Sequence, residues 1–326
     1  MNFRLDETAK RQMNEWGGAR KPFTFLIDFD AKRIEIYELE ESLQQGLCWR
    51  TPKFSNFTPK PQTIDFTWHT KPVSFSQYEK AFKHAHAHIL RGDSFLLNLT
   101  MPTAVESNLT LDAIAQRCTS PYLVHLKDEF VCFSPEIFVR INEQGRISSF
   151  PMKGTIDAAI ENASELLKNN RKEMAEHHTI VDLIRNDLSL VASEVEVARF
   201  AYLDEIKSNR KHLLQMSSEI TGRLPKDWHC QLGDIFEKLL PAGSITGAPK
   251  VKTVEIIKQA EGYERGFYTG VFGVFDGQSV DSCVLIRFIE QGEEGLVYKS
   301  GGGITHLSTA REEYEELINK VYVPFA

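Results

Sequence analysis

The run FVCFSPEIFVRINEQGRISSFPMK, from Phe130 to Lys153, decides the fold class. Its three short segments rich in Val, Ile and Phe are typical of β-strands, and turn residues separate them. Glu143-Gln144-Gly145 predicts the turn of a hairpin, because its flanks are both strand-like. Strand follows strand here with no helix between, so the run predicts an antiparallel sheet.

Further strands and several helices surround this run. No regular alternation of strand and helix is found, so we predict an α+β fold with largely antiparallel sheets. Helical spacing of apolar residues and start and stop signals predict helices in SFSQYEKAFKHAHAHILRG, RKEMAEHHTIVDLIRNDLSLV, PKVKTVEIIKQAEG and TAREEYEELINKVY. Strands are predicted in FTFLIDFD, RIEIYEL, DSFLLNLTMPTAVE, YLVHLKD, FYTGVFGVFDG, SVDSCVLIRFIEQ and GLVYKSGGGIT.

The composition is typical of a globular protein and gives no sign of a surface that binds nucleic acid or a membrane. The 326 residues carry a net charge of −7 with no basic stripe, and no linker rich in Pro, Gly and Ser divides them. We therefore expect one domain over residues 1–326. The five cysteines are widely spaced, no apolar run could span a bilayer, and the first residues are too polar for a signal peptide. A cytoplasmic location is expected.

Two pairs of glutamates are candidate ligands for a divalent cation. Glu173 and Glu176 lie three residues apart on one predicted helix, as Glu313 and Glu316 do on another. This spacing puts each pair on one helix face. A single pair of this kind is far more often part of a solvated helix face. If both pairs face one cleft, they offer the oxygen ligands that Mg²⁺ prefers.

Lys153 and Glu136 are candidates for acid–base or nucleophilic chemistry. Glu136 begins one strand of the hairpin and Lys153 ends the other, so antiparallel pairing would bring them together. A nucleophilic lysine needs its pKa lowered by roughly 3 units at neutral pH. The alternative is a solvated lysine at the end of a strand.

Two glycine-rich loops and a histidine pair have less specific readings. PAGSITGAPK and YKSGGGITHLS expose backbone N–H groups near predicted helix starts, which suits a carboxylate, but the first lacks the spacing of a phosphate-binding loop. Ordinary turns explain both loops equally well. His84 and His88 share a helix face but have no evident third ligand, so we set zinc aside.

Several blocks together resemble the chorismate-utilising enzymes. The resemblance covers residues 75–322, and residues 1–70 form a short N-terminal part. It implies a four-layer α/β/β/α sandwich of two orthogonally packed sheets and a Mg²⁺ ion that bridges the carboxylate on the substrate ring. The blocks are GDSFLLNLT, FSPEIF, PMKGT, EHHTIVDLIRNDL, LPAGSITGAPKVKTVEII, RGFYTGVFG, VLIRF, SGGGIT and EEYEEL.

Within that family, PMKGT is similar to the aminodeoxychorismate synthase branch, which has lysine where the anthranilate, isochorismate and salicylate synthases usually have alanine. Leu96 stands where the isochorismate and salicylate synthases have a water-activating lysine. The resemblance implies a transaminase-class amination of chorismate to 4-amino-4-deoxychorismate, on the route to 4-aminobenzoate and folate. Lys153 would attack C2 while Glu136 protonates the departing C4 hydroxyl, and ammonia would then displace the lysine.

The remaining roles are likewise implied by the resemblance. Glu176 and Glu316 match direct Mg²⁺ ligands, and Glu173 and Glu313 match carboxylates that hold its water ligands. The substrate-binding positions are Thr246, Tyr268, Arg287, Gly302, Gly303 and Lys320. The resemblance also implies a separate glutamine amidotransferase that supplies ammonia.

Three departures qualify the comparison. Gln215 replaces a histidine of the anthranilate branch, so loss of pyruvate from the aminated ring should be poor. Leu96 replaces a glutamine common in the aminodeoxychorismate branch, and no L-L-E-S segment of the tryptophan-inhibited relatives is found, so tryptophan inhibition is not expected. The alternatives are an anthranilate synthase component and a catalytically silent chorismate-binding homologue, although the latter would be expected to lack the carboxylates or the lysine.

Overall fold

A computed structural model describes residues 3–60, 65–207 and 212–325. The strands within these ranges form two sheets in which every pairing is antiparallel, which confirms the predicted α+β fold with two antiparallel sheets. The strands are β1 (Phe23–Ile27), β2 (Ile34–Glu38), β3 (Leu47–Arg50), β4 (Trp68–Pro72), β5 (Leu96–Ser107), β6 (Leu123–Leu126), β7 (Phe130–Cys132), β8 (Ile137–Ile141), β9 (Arg146–Ser149), β10 (Met152–Asp157), β11 (Ser193–Lys207), β12 (His212–Arg223), β13 (Gly247–Ala248), β14 (Val271–Phe275), β15 (Val280–Val284), β16 (Phe288–Gly292) and β17 (Gly295–Ile304).

Helices connect the strands, and a 3₁₀ turn at Trp228–Gln231 precedes the sixth helix. The helices are α1 (Glu7–Gly18), α2 (Phe75–Leu90), α3 (Leu111–Arg117), α4 (Ala163–Asn169), α5 (Arg171–Ser189), α6 (Leu232–Leu239), α7 (Gly243–Thr246), α8 (Lys250–Glu261) and α9 (Ala310–Asn319).

The larger sheet has the order β10-β12-β9-β8-β15-β14-β1-β2, with β11 paired to β12. The smaller sheet has the order β13-β5-β17-β16-β7-β6-β3, with β4 paired to β5. One hydrophobic cluster includes Phe25 of the larger sheet, Leu97 of the smaller sheet, Ile180 of α5 and Leu317 of α9. Burial of these apolar side chains therefore holds the two sheets and the helices together.

Local signals in the sequence account for the element boundaries. Ser74 and Gln77 form a reciprocal capping box at the start of α2, and Thr309 accepts a hydrogen bond from the Glu312 N–H at the start of α9. The predicted hairpin is present, because Arg140 pairs with Ser148 across β8 and β9. These interactions satisfy backbone groups that would otherwise remain unpaired.

The predicted strand SVDSCVLIRFIEQ is instead two strands that belong to different sheets. β15 lies in the larger sheet and β16 in the smaller one. The chain changes sheets at 285–287, where Arg287 has a φ of 54°. A bulky residue with positive φ breaks the extended backbone. An unbroken apolar pattern does not reveal such a switch, because both strands are buried.

Helix α1 was not predicted from its polar sequence. Asp6 accepts hydrogen bonds from the N–H groups of Thr8 and Ala9, and Met13 on the inner face is fully buried. The N-cap carboxylate stabilises the helix start. Among the described residues, none of the helices has the length and apolar character that a membrane crossing requires.

A buried ion pair ties α8 to the walls of the central cavity. The side chains of Arg265 and Glu261 are each 1% exposed, with 2.6 Å between Nη2 and Oε1. Arg265 also donates to the backbone oxygens of Asn98 on β5, at 2.8 Å, and Ile245 on α7, at 3.1 Å. The guanidinium therefore joins three elements that surround the cavity.

Glu261→Gln is expected to lower the free energy of unfolding by about 3–5 kcal/mol, because it leaves a buried guanidinium without its counter-charge. Urea unfolding monitored by circular dichroism measures this change. Glu255→Gln on the exposed side of α8 is the matched control, since Glu255 pairs with Lys252 at 3.2 Å near solvent and should change stability by less than about 1 kcal/mol. Equal effects of the two variants would contradict the prediction.

Candidate functional site

A cavity of about 150 Å³ is walled by strands from both sheets and by α5 and α7. Its floor includes consecutive residues of β17 in the smaller sheet, and β10 of the larger sheet borders it. Eight of the predicted or discussed positions line it: Leu96, Glu136, Lys153, Tyr268, Arg287, Gly302, Gly303 and, beyond α9, Lys320. The fold thus gathers residues that lie far apart in the sequence.

Lys153 reaches this cavity by a different route from the one predicted. Strand β9 ends at Ser149, and Lys153 lies on the separate strand β10, which pairs with β12 rather than with β8. Pro151 follows β9 and has no N–H to continue a ladder. The pairing register then shifts between Met152 and Thr155. Lys153 and Glu136 line one cavity although they are not at the ends of paired strands.

The Lys153 ammonium forms an ion pair with a buried carboxylate. Its Nζ lies 2.8 Å from Oε2 of Glu176, and their side chains are 26% and 6% exposed. Burial by itself lowers the pKa of Lys153, but the Glu176 carboxylate more than offsets this effect, so the pKa is raised. Glu316 and Glu173 add to the increase. Lys153 is therefore a charged ammonium in this structure, whereas a nucleophilic role requires the neutral amine.

Glu136 lies where the chain passes from β7 in the smaller sheet to β8 in the larger one. Ser244 of α7 donates a hydrogen bond from its hydroxyl to the Glu136 carboxylate. Burial raises the pKa of Glu136. The hydrogen bond from Ser244 and the positive charges of Arg287, Lys320 and Lys153 oppose the increase. A carboxyl group that keeps its proton at higher pH is suited to act as a general acid.

The four glutamates are not part of the cavity wall but lie near wall residues. A Cβ atom built on Gly302 would lie 3.1 Å from Oε2 of Glu313 and 3.2 Å from Oε1 of Glu316. Both Glu316 of α9 and Glu173 of α5 raise the pKa of Lys153. Helices α5 and α9 therefore both bring carboxylates near the lysine.

The carboxylates have the donor chemistry of a site for a hard divalent cation, and ammonium groups accompany two of them in this structure. Lys153 pairs with Glu176, and Lys320 pairs with Glu316 at 2.5 Å. Within residues 3–60, 65–207 and 212–325, no three His, Cys, Asp or Glu side chains are close enough together to hold a metal ion. The residue types fit Mg²⁺, but the carboxylates are not assembled around one point.

Arg287 and Lys320 make part of the cavity wall cationic. Nε of Arg287 is buried and has no hydrogen-bond partner within the described part of the chain. Tyr268 beside it is buried, and the Lys320 ammonium donates to the Gly301 oxygen at 2.8 Å. Burial lowers the pKa of Lys320, with Glu316 opposing the decrease. A buried guanidinium with an unused donor can bind a carboxylate.

Two adjacent glycines, Gly302 and Gly303, let strand β17 lie close to the side chains on both of its faces. A Cβ atom on Gly303 would lie 3.2 Å from Nζ of Lys153 and 3.2 Å from Cδ1 of Leu96, whereas one on Gly302 would face Glu313 and Glu316. Leu96 and the Lys153 ammonium therefore both border Gly303. Side chains at Gly302 and Gly303 would occupy space beside the carboxylates and the lysine.

Thr246 requires a correction. It is fully buried, its hydroxyl donates to the Ala242 oxygen at 2.8 Å, and it is absent from the cavity wall. The preceding turn of the short helix α7 directs Ser244 and Ile245 into the cavity instead. Gln215 also lies outside the wall, on β12 opposite Thr155.

Sequence reasoning missed Lys299, Asn98 and Ser244 as cavity residues. Lys299 is the clearest omission, because a lysine within the strand segment LVYKSGGG is a signal of a buried charge. Its side chain is 4% exposed and its Nζ lies 2.7 Å from Oε2 of Glu290. Ser244 stood within the quoted GSITGAPK block, but nothing in the sequence links it to Glu136.

Comparison with known proteins identifies the family of the chain. Residues 19–325 match the family model described as chorismate binding enzyme. An uncharacterized PabA-like protein of Haemophilus influenzae is 50% identical over 96% of this chain and 95% of its own length. Aminodeoxychorismate synthase component 1 of Bacillus subtilis is 29% identical over 90% of this chain, which covers 63% of that protein.

Other relatives carry different activities in their names. Anthranilate synthase component 1 of Saccharomyces cerevisiae is 29% identical over 87% of this chain and 60% of its own length. The crystal structure of a 2,3-dihydroxybenzoate-specific isochorismate synthase, DhbC, from Bacillus anthracis superposes with a TM-score of 0.71 at 20% identity, over 96% of this chain and 87% of that one. The latter likeness shows the shared fold. From its family match over residues 19–325, the chain belongs to the chorismate-binding enzymes and is a chorismate-utilising enzyme.

Proposed function

We propose that this enzyme converts chorismate and ammonia into 4-amino-4-deoxychorismate. The observation that carries the proposal is that Lys153 and Glu136, a potential nucleophile and a potential general acid, line one cavity. Leu96 lies where the isochorismate-type relatives are expected to have a water-activating lysine, so a nitrogen nucleophile fits this cavity better than water. The raised pKa of Glu136, caused by burial, supports its role as an acid.

Chorismate would bind with its carboxylates at opposite ends of the cavity. Arg287, with Tyr268 beside it, would hold the enolpyruvyl carboxylate, while Lys320 and the backbone N–H groups of Gly302 and Gly303 complete the anion site. Because its two carboxylates would be held at two separate positions, the ring of chorismate would be fixed between them. The C4 hydroxyl would then face Glu136 and C2 would face Lys153.

The reaction would proceed by two displacements. The neutral amine of Lys153 forms a bond to C2, both conjugated ring double bonds shift towards C4, and the C4–oxygen bond breaks as the hydroxyl leaves as water with the proton of Glu136. Ammonia then forms a bond to C4, both double bonds shift back, and the C2–nitrogen bond breaks to release the amine of Lys153. The amine therefore ends on the carbon that carried the hydroxyl.

The four glutamates would hold Mg²⁺, with Glu176 and Glu316 as direct ligands and Glu173 and Glu313 holding its water ligands. A bound Mg²⁺ ion would stabilise negative charge on the ring carboxylate and so favour departure of the hydroxyl. Lys153 is now paired with Glu176. If ligand binding drew the Glu176 carboxylate away from Lys153, the neutral amine of Lys153 would be favoured.

We further propose that ammonia comes from a separate glutamine amidotransferase and that the product serves 4-aminobenzoate and folate synthesis in the cytoplasm. The relatives named as component 1 of aminodeoxychorismate and anthranilate synthases support a multi-component enzyme.

The proposal predicts the product. Incubation with chorismate, Mg²⁺ and ammonium should give 4-amino-4-deoxychorismate without pyruvate release, as measured by mass spectrometry and a coupled pyruvate assay. Chelation of the metal should stop the reaction, and added Mg²⁺ should restore it. Anthranilate with an equal amount of pyruvate would assign the enzyme to the anthranilate branch, and unchanged chorismate would favour a catalytically silent homologue.

A further inference from the structure

We infer that Tyr322, in the segment of residues 320–325 that follows α9, is a positioning residue that holds the Arg287 guanidinium in its carboxylate-binding orientation. This inference rests on the proposed role of Arg287 as an anchor for the substrate. Tyr322 itself is absent from the cavity wall. It would therefore act through Arg287 and not by touching chorismate.

The backbone of Arg287 is held by a hydrogen bond within the fold, whereas its side chain has few polar contacts. The residue lies at the switch between sheets, and its carbonyl oxygen accepts a hydrogen bond from the Phe133 N–H at 3.1 Å. Its Nε is buried without a hydrogen-bond partner in the described residues. A long guanidinium side chain in that position needs lateral contacts to keep one rotamer.

Tyr322 supplies such a contact. The Arg287 guanidinium carbon lies 5.6 Å from the centroid of the Tyr322 ring, within the range of a cation–π interaction. Burial by itself lowers the pKa of Arg287, but neighbouring tyrosines, including Tyr298 and Tyr322, raise it overall. A guanidinium is charged at any physiological pH, so the contribution of the Tyr322 ring is to limit its movement.

The segment around Tyr322 is anchored on both sides. Val321, Val323 and Phe325 pack against a hydrophobic cluster that contains Tyr298. The Arg117 guanidinium carbon lies 4.3 Å from the ring centroid of Phe325. Val321 and Val323, on either side of Tyr322 in the sequence, pack against this cluster, whereas the Tyr322 ring lies beside the Arg287 guanidinium. The anchoring explains how an exposed tyrosine can restrain a buried arginine.

This arrangement predicts an effect on affinity and little effect on the chemical step. Restricting Arg287 before the substrate arrives reduces the entropy lost on binding. Tyr322→Ala should raise the Kd for chorismate by about threefold to tenfold, a range set by cation–π energies. Tyr322→Phe, which keeps the ring but not the hydroxyl, should give a smaller increase. The kcat should change by less than about twofold, because Lys153 and Glu136 are untouched.

The experiment measures chorismate binding by isothermal titration calorimetry and kcat in the amination assay, on the full chain with Mg²⁺. Tyr37→Phe is the matched control. Tyr37 is a half-buried tyrosine on edge strand β2, and its hydroxyl donates to Glu35 at 2.9 Å. Loss of the Tyr37 hydroxyl should leave the Kd for chorismate unchanged. Thermal unfolding of every variant shows whether its fold is intact.

Two further variants separate failure of the inference from failure of the proposed function. If Arg287→Gln leaves chorismate affinity unchanged, Arg287 is not the anchor and the proposed substrate site is wrong. If Arg287→Gln weakens binding but Tyr322→Ala does not, only the positioning role is overturned. In the Arg287→Gln background, Tyr322→Ala should cause no additional loss. A full additional loss there would show that Tyr322 acts independently of Arg287.

Discussion

Replacing Lys153 with methionine is expected to lower the rate of C4 amination by about a thousandfold or more, because the proposed route loses its nucleophile. Methionine keeps much of the apolar stem that borders Leu96 and Gly303 while removing the amine. Product formation from chorismate, Mg²⁺ and ammonium, followed by mass spectrometry, measures the change. With the unmodified enzyme and no ammonium, intact-protein mass spectrometry should detect an adduct equal to chorismate minus water.

The matched control for this substitution is Lys252→Met. Lys252 pairs with Glu255 at 3.2 Å on the exposed face of α8, outside the cavity wall. Its loss should leave amination unchanged. Undiminished amination by the Lys153→Met enzyme would rule out the covalent route, whereas a small residual rate without the adduct would indicate direct attack by ammonia. Chorismate binding by the variant shows whether the cavity is intact.

Much of the fold was predictable because local signals determine it. The hairpin at Glu143-Gln144-Gly145, the capped start of α2 and the glycine at the end of α8 all depend on residues near one another in the sequence. The change of sheet before Arg287 was not predictable, because it depends on strand partners far away in the chain. For the same reason, the prediction that Lys153 lies on the partner strand of Glu136 was wrong.

The candidate site shows the same division. Helical spacing predicts that Glu173 and Glu176 share a face, as Glu313 and Glu316 do, but only the packed structure places Lys153 among them. The ammonium state of this lysine follows from its contact with Glu176. A pattern of residues cannot reveal that contact, because α5 and β10 meet through tertiary packing. Ser244 escaped notice because its importance lies in its hydrogen bond to Glu136.

The raised pKa of Glu136 gives the proposed acid a specific pH signature. Burial favours the protonated carboxyl group over the carboxylate. The group donates its proton only below its pKa, so the rate should fall as the pH rises through that value. The same shift affects stability, because the folded protein binds this proton more tightly than the unfolded chain does. Its contribution to stability is therefore present at low pH and is lost as the pH rises through the folded pKa.

Glu136→Gln is accordingly expected to lower kcat by about 10²–10⁴-fold and to remove this limb from the pH–rate profile. The amide keeps the shape of the side chain and an oxygen that can accept the Ser244 hydrogen bond, so the unfolding free energy at neutral pH should not fall. Glu136→Asp is the informative companion, since a retained carboxyl group should preserve the limb at a lower rate. Stopped-flow kinetics at saturating Mg²⁺ measures both variants. A Gln variant that kept the wild-type limb would assign it to another group, and Glu136 would then not be the acid.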